Sequence, residues 1–85
     1  MPVILRYKGY TFFFFSNEGN PREPLHVHVR RAGATAKFWI EPQVGVVESY
    51  GLSSPELNDL AKVVADNRQL IERTWHEFFG KSSEF

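Results

Sequence analysis

The 85-residue chain has no cysteine. That excludes disulfides, thiolate metal ligands and thiol nucleophiles, and it is compatible with a reducing compartment. It has no net charge either, with 10 basic against 10 acidic side chains. A long hydrophobic run is missing too: the most apolar stretch, Tyr10–Phe15, falls far short of the roughly 20 residues a membrane helix needs. No Walker loop, G-x-G-x-x-G, H-E-x-x-H or G-x-S-x-G occurs, so the usual signatures of nucleotide hydrolases, dinucleotide enzymes, zinc proteases and serine hydrolases are absent. Ser16, Ser53 and Ser54 read as turn and cap residues rather than nucleophiles. The opening residues Met1–Arg6 lack the basic region and cleavage site of a secretory signal. The expectation is a cytoplasmic protein with no membrane association.

What is present is ordinary in bulk and uneven in detail. Apolar residues make up 42% of the chain, enough for one small domain with a modest core. Residues 1–40 carry six basic groups against two acidic ones, and residues 41–85 carry four against eight. A basic half joined to an acidic half points either to an anionic partner for the first or to compensation between two packed layers.

The basic half reads as two β-hairpins over residues 1–41. Val3–Tyr7 and Tyr10–Phe15 flank Lys8-Gly9, a two-residue turn in which glycine supplies positive φ. That register sets Tyr7 opposite Tyr10, Leu5 opposite Phe12 and Val3 opposite Phe14, leaving Ile4, Arg6, Thr11, Phe13 and Phe15 on the other face. Ser16–Pro24 is a loop rich in Asn, Gly and Pro. The second hairpin turns at Ala32-Gly33, pairing Val29 with Ala36, Val27 with Phe38 and Leu25 with Ile40. Its opposite face pairs Arg30 with Thr35, His28 with Lys37 and His26 with Trp39. Each hairpin thus has one apolar face and one mixed face, which is the pattern of a sheet covered on one side.

Residues 42–52 form a connector containing Gly45 and Gly51, with a short extended piece at Val44–Glu48. A helix over 53–80 opens with the capping box Ser53-x-x-Glu56 and Pro55 in its first turn. Leu57, Leu60, Ala61, Val64, Ile71, Trp75 and Phe78 form one apolar stripe, Gly80 is a natural stop, and 81–85 is a frayed tail. Such a helix would be about 38 Å long against about 20 Å for a six-residue strand. It must break near Asp66-Asn67 or overhang the sheet and pack on a partner. The expected fold class is therefore α+β, an antiparallel sheet of about four strands with one long C-terminal helix on one face.

The mixed face is where function is expected. In Leu25-His26-Val27-His28-Val29 two histidines alternate with aliphatics, placing both imidazoles on that face about 6–7 Å apart. They join Arg6, Phe13, Phe15, Arg30, Lys37, Trp39 and Glu41. Aromatics interleaved with cations suit a protein interface or single-stranded RNA. The interface is preferred, since the signature of sheet-type RNA readers is absent. As a pair titrating near neutrality, His26 and His28 could act as acid and base on RNA, with Arg30 or Lys37 steadying the phosphorane charge. As metal ligands they are half a tetrahedral set, to be completed by Glu18, Glu23, Glu41 or a second subunit. The plainer alternative is a pair stacked on Trp39. No cofactor is required by the sequence. His76 reads as ordinary helix surface, and Glu72 with Trp75-His76 as the border of a partner contact.

The runs Phe14-Phe15-Ser16-Asn17-Glu18-Gly19-Asn20, Pro24-Leu25-His26-Val27-His28-Val29 and Ala36-Lys37-Phe38-Trp39 resemble a family of small bacterial proteins, domain of unknown function 4160. Pro2-x-Ile4 and Trp75-x-x-Phe78-Phe79 are similar as well. The chain departs from the family's proline-proline-histidine-x-histidine-valine motif only in having Leu25 at the second proline. The resemblance implies a component of a two-gene module of the toxin–antitoxin kind. Its expected partner is a small neighbour-encoded protein or a second copy, with RNA as a further possibility. It assigns no reaction to His26 or His28.

Overall fold

A computed structural model describes residues 3–15 and 24–79, with the side chain of Phe79 excepted. Five strands form one antiparallel meander in sequence order: β1 (Val3–Tyr7), β2 (Tyr10–Phe13), β3 (His26–Arg31), β4 (Ala34–Trp39) and β5 (Gly45–Tyr50). Two helices follow, α1 (Ser54–Asp66) and α2 (Arg68–Phe79). The class is α+β as the pattern implies, but with a fifth strand and a divided helix. Among the described residues no helix is long and apolar enough to cross a membrane.

Both hairpin turns sit where expected. Lys8 and Gly9 both have positive φ, 50° and 82°, which is the two-residue turn whose twist matches its strands. Ala32 enters the second turn at φ 52°. The β3–β4 ladder runs His26–Trp39, Val27–Phe38, His28–Lys37, Val29–Ala36 and Arg30–Thr35, and the Ile40 N–H donates to the Leu25 carbonyl beyond it. In the first hairpin Tyr7–Tyr10 and Leu5–Phe12 hold, but an irregularity between Val3 and Leu5 sets Val3 opposite Phe13 rather than Phe14. Phe14 keeps the core position that alternation with Phe12 gives it and is buried, whereas Val3, expected on the same face, is exposed.

The connector at 42–52 contains β5, paired with β4 from Thr35–Tyr50 to Trp39–Gly45 with a shift between Lys37 and Phe38. As the sheet's last strand it is exposed or half-exposed throughout, so it shows no buried-face alternation from which sequence could name it.

Helix α1 begins as its cap predicts. The Ser53 hydroxyl accepts from the Glu56 N–H, and Glu56 Oε1 accepts from the Ser53 N–H at 2.8 Å. The break falls at Asn67, whose backbone leaves the helical region (φ −110°, ψ 20°). Its side-chain amide donates to the Val63 carbonyl at 2.8 Å, beside the bond that carbonyl accepts from the Asn67 N–H at 3.0 Å, and so caps the end of α1. The helices then span about 20 Å and 18 Å, each close to a strand's length, so the pair needs no overhang. Leu60 and Val64 from α1 join Ile71 and Trp75 from α2 on one core with Phe12, Phe14, Val27, Val29, Phe38 and Ile40. Phe78, the last residue of the stripe, is exposed. The loop at 16–23, the Gly80 stop and the 81–85 tail lie outside the described residues.

At the turn end of the sheet the helix face is electrostatically closed. Tyr7 Oη donates to Asp59 Oδ2 at 3.1 Å, Tyr10 Oη donates to Glu56 Oε2 at 3.3 Å, and Arg31 pairs with Glu56 at 3.7 Å while covering the Tyr10 ring. Burial, with help from Glu56, pushes the Tyr10 phenol up against the lowering pull of Arg31. Hydrogen bonds from the Ser53 backbone and hydroxyl hold the Glu56 carboxyl below its ordinary range. Compensation between layers thus accounts for part of the charge asymmetry.

Candidate functional site

Both helices pack on the apolar face of the sheet, and the strand registers sort the side chains of the other face into rows. One row crosses the sheet as Arg6, Thr11, Arg30, Thr35 and Tyr50; the next runs Phe13, His28, Lys37 and Glu48; a third sets His26 beside Trp39. All eight predicted site residues therefore fall on one face of the sheet, though not all of them reach solvent, with Phe15 just beyond the end of β2.

The centre of this surface is a self-packed ring cluster. The Phe13 ring stacks on His28 at 5.6 Å and meets Phe15 edge-on at 5.1 Å, and Phe15 lies 4.6 Å from His28. His26 and His28 are 5.2 Å apart between centroids, edge to face. Phe13 is only 3% exposed, whereas Phe15 keeps 42%. The expected aromatic patch is thus partly spent on its own packing.

His26 departs furthest from the expected geometry. It pairs with Trp39 as the register requires, yet it is fully buried (0% exposed). Trp39, His28 and Trp75 all contact its ring, the last from α2 at 5.4 Å. Trp75 also packs edge-on against Phe14 at 5.1 Å, so this one indole touches both the core and the histidine row. It is 8% exposed and belongs to the interior, not to the border of a partner contact. His26 Nδ1 lies 2.8 Å from the Pro24 carbonyl. A carbonyl only accepts, so that partner assigns the proton to Nδ1. A substrate oxygen would have to displace this packing to reach His26, whereas His28 lines the open surface. His76 is exposed on α2.

For a metal, two imidazoles are half a set, and no group of three or more His, Asp or Glu side chains gathers anywhere among the described residues. Glu18 and Glu23 lie outside them, and Glu41 is not drawn in.

Among the described residues the cations of this face are held without carboxylates. Arg30 Cζ sits 5.1 Å over the Phe13 ring and Lys37 Nζ 5.3 Å over Trp39. The ion pairs among the described residues, Arg31–Glu56 and Arg68–Glu72, leave out Arg6, Arg30 and Lys37. Between β2 and β5 the surface dips into a concavity of about 460 Å³, lined by Phe13, Phe15, His28, Arg30, Thr35, Lys37, Glu48 and Tyr50, among others. Thr35, Glu48 and Tyr50 were not singled out from sequence. The extended piece at Val44–Glu48 was the available signal: pairing it with β4 would have placed Glu48 across from Lys37.

A family model described as Domain of unknown function (DUF4160) matches residues 9–76, and the chain belongs to that family. No curated protein and no solved structure matches.

Proposed function

Starting from membership of a family defined without an activity, we propose that this chain is the partner-binding component of a two-gene module of the toxin–antitoxin kind. It meets a second, acidic protein through the open sheet face. The observation that carries the reading is the state of that face: Arg6, Arg30 and Lys37 have no carboxylate partner among the described residues, beside exposed Phe15 and a Tyr50 that is 74% exposed. Interfaces concentrate arginine and aromatic side chains in this way, and unneutralised cations favour an acidic surface opposite them.

The edge strand adds a means of docking. β5 bonds to β4 on one side, and Val46, Val47 and Tyr50 along it are exposed. An extended acidic segment of the partner pairing onto β5 would gain main-chain hydrogen bonds, with alternate side chains over the open face.

The test is co-purification of this chain with the small protein encoded beside it, followed by light scattering. A stoichiometric complex that the double variant Arg6→Glu, Lys37→Glu abolishes is the expected result. A monomer that ignores its neighbour-encoded protein refutes the proposal. A symmetric dimer that excludes the neighbour also refutes it and assigns the face to a second copy.

A further inference from the structure

We infer that the concavity between β2 and β5 binds a phosphorylated ribonucleoside. The inference is independent of the protein-partner reading, because it concerns what the isolated chain can hold. Three properties of the hollow carry it. Its volume, about 460 Å³, falls in the range of about 300–1,000 Å³ typical of small-ligand sites.

Its chemistry is divided in the way such a ligand is divided. Phe15, 42% exposed and backed by the buried Phe13, gives an aromatic wall on the β2 side, and any nucleobase offers a π-face to such a wall. Arg30 and Lys37 supply positive charge, each lying over an aromatic ring. A guanidinium lying over a ring keeps its in-plane N–H donors directed outward, the geometry that a phosphate accepts in pairs.

The third property is Glu48, which lines the same hollow opposite Lys37 in the strand register. A carboxylate gains nothing from inorganic phosphate, which brings it no donor beyond its own acidic protons. It can instead accept hydrogen bonds from ribose hydroxyls or an exocyclic amine. Together these groups ask for an anion that also carries a flat ring and hydroxyl donors. A free mononucleotide and a nucleotide within single-stranded RNA share that chemistry.

The experiment is an NMR titration of the full-length chain with adenosine monophosphate, with inorganic phosphate and with a short single-stranded oligoribonucleotide. Binding by the first or the third should shift amides of His28, Arg30, Lys37 and Tyr50 and leave α2 resonances such as Arg73 in place. Saturation by adenosine monophosphate alone identifies a free-nucleotide site, and saturation by the oligoribonucleotide alone identifies a strand site; both support the inference. Arg30→Gln and Lys37→Gln should each weaken binding roughly tenfold and flatten its salt dependence. Phe15→Ala should weaken it by about tenfold as stacking is lost, while Arg73→Gln changes nothing. Neither nucleotide probe shifting the concavity overturns the inference. So does inorganic phosphate binding as tightly as adenosine monophosphate, or unchanged affinity in Arg30→Gln and Lys37→Gln with their dispersed spectra intact.

Discussion

Arg30 and Arg31 are neighbours in β3 with opposite circumstances. Alternation sends Arg31 to the helix-bearing side, where it covers Tyr10 and pairs with Glu56. Arg30 faces the open side, where it covers Phe13 and meets no carboxylate among the described residues. Both guanidiniums rest on aromatic rings, yet only one is neutralised. The helix side uses its charges to seat α1 on the sheet through Tyr7–Asp59, Tyr10–Glu56 and Arg31–Glu56. Among the described residues the open side holds Arg6, Arg30 and Lys37 without an ion pair, a difference in chemistry between the two faces of one five-stranded sheet.

The comparison can be broken most severely from the core. Phe38→Ala, removing a fully buried ring under the helices, should cost about 3–5 kcal/mol in urea unfolding. His26→Ala should cost about 1–3 kcal/mol, more than His28→Ala at under about 1 kcal/mol, because the former empties a buried, hydrogen-bonded position. Equal costs would mean that the two histidines are alike in burial. Ser53→Ala should cost about 1 kcal/mol by removing the cap of α1. Arg30→Gln should change stability by less than about 0.5 kcal/mol while removing charge from the open face; a larger loss would show that this arginine holds the fold together.

The smallest effect is a pH dependence on the closed side. Glu56 has its folded value below the ordinary 4.5, so it contributes stability at neutral pH. That contribution declines as pH falls through 4.5 and is gone below the lowered folded value. In melts from pH 7 to pH 3, the native chain should exceed Glu56→Gln in thermal midpoint at neutral pH, and the gap should close in acid.

Much of this was legible in residues 1–41 because two periodicities coincide there: alternation along each strand and turns at Lys8-Gly9 and Ala32-Gly33. The β3–β4 ladder follows from them pair by pair. The fifth strand was recognisable only as an extended piece, since exposure on both faces removes the alternation that burial imposes. The place of the helix break was readable as one of two solutions to a length mismatch, and Asn67 settles it by turning its amide back on Val63. The burial of His26 could not be read from its own strand, because it depends on an indole contributed some fifty residues later in the chain. A period-two pattern says which way a side chain points and nothing about what arrives from another layer.

Trp75 has a consequence for how the molecule moves. By touching Phe14 on one side and His26 on the other, it ties the second half of the helical layer to the ring cluster of the exposed surface. Opening events that release α2 must therefore also loosen His26, and with it the platform of His28 and Phe13. Amide exchange in α2 and in β3 should share one opening free energy, as members of a single cooperative unit. Whatever clamps the open surface then slows amide exchange on the far side of the sheet, so a bound ligand would lengthen the lifetime of helix amides whose resonances it does not shift.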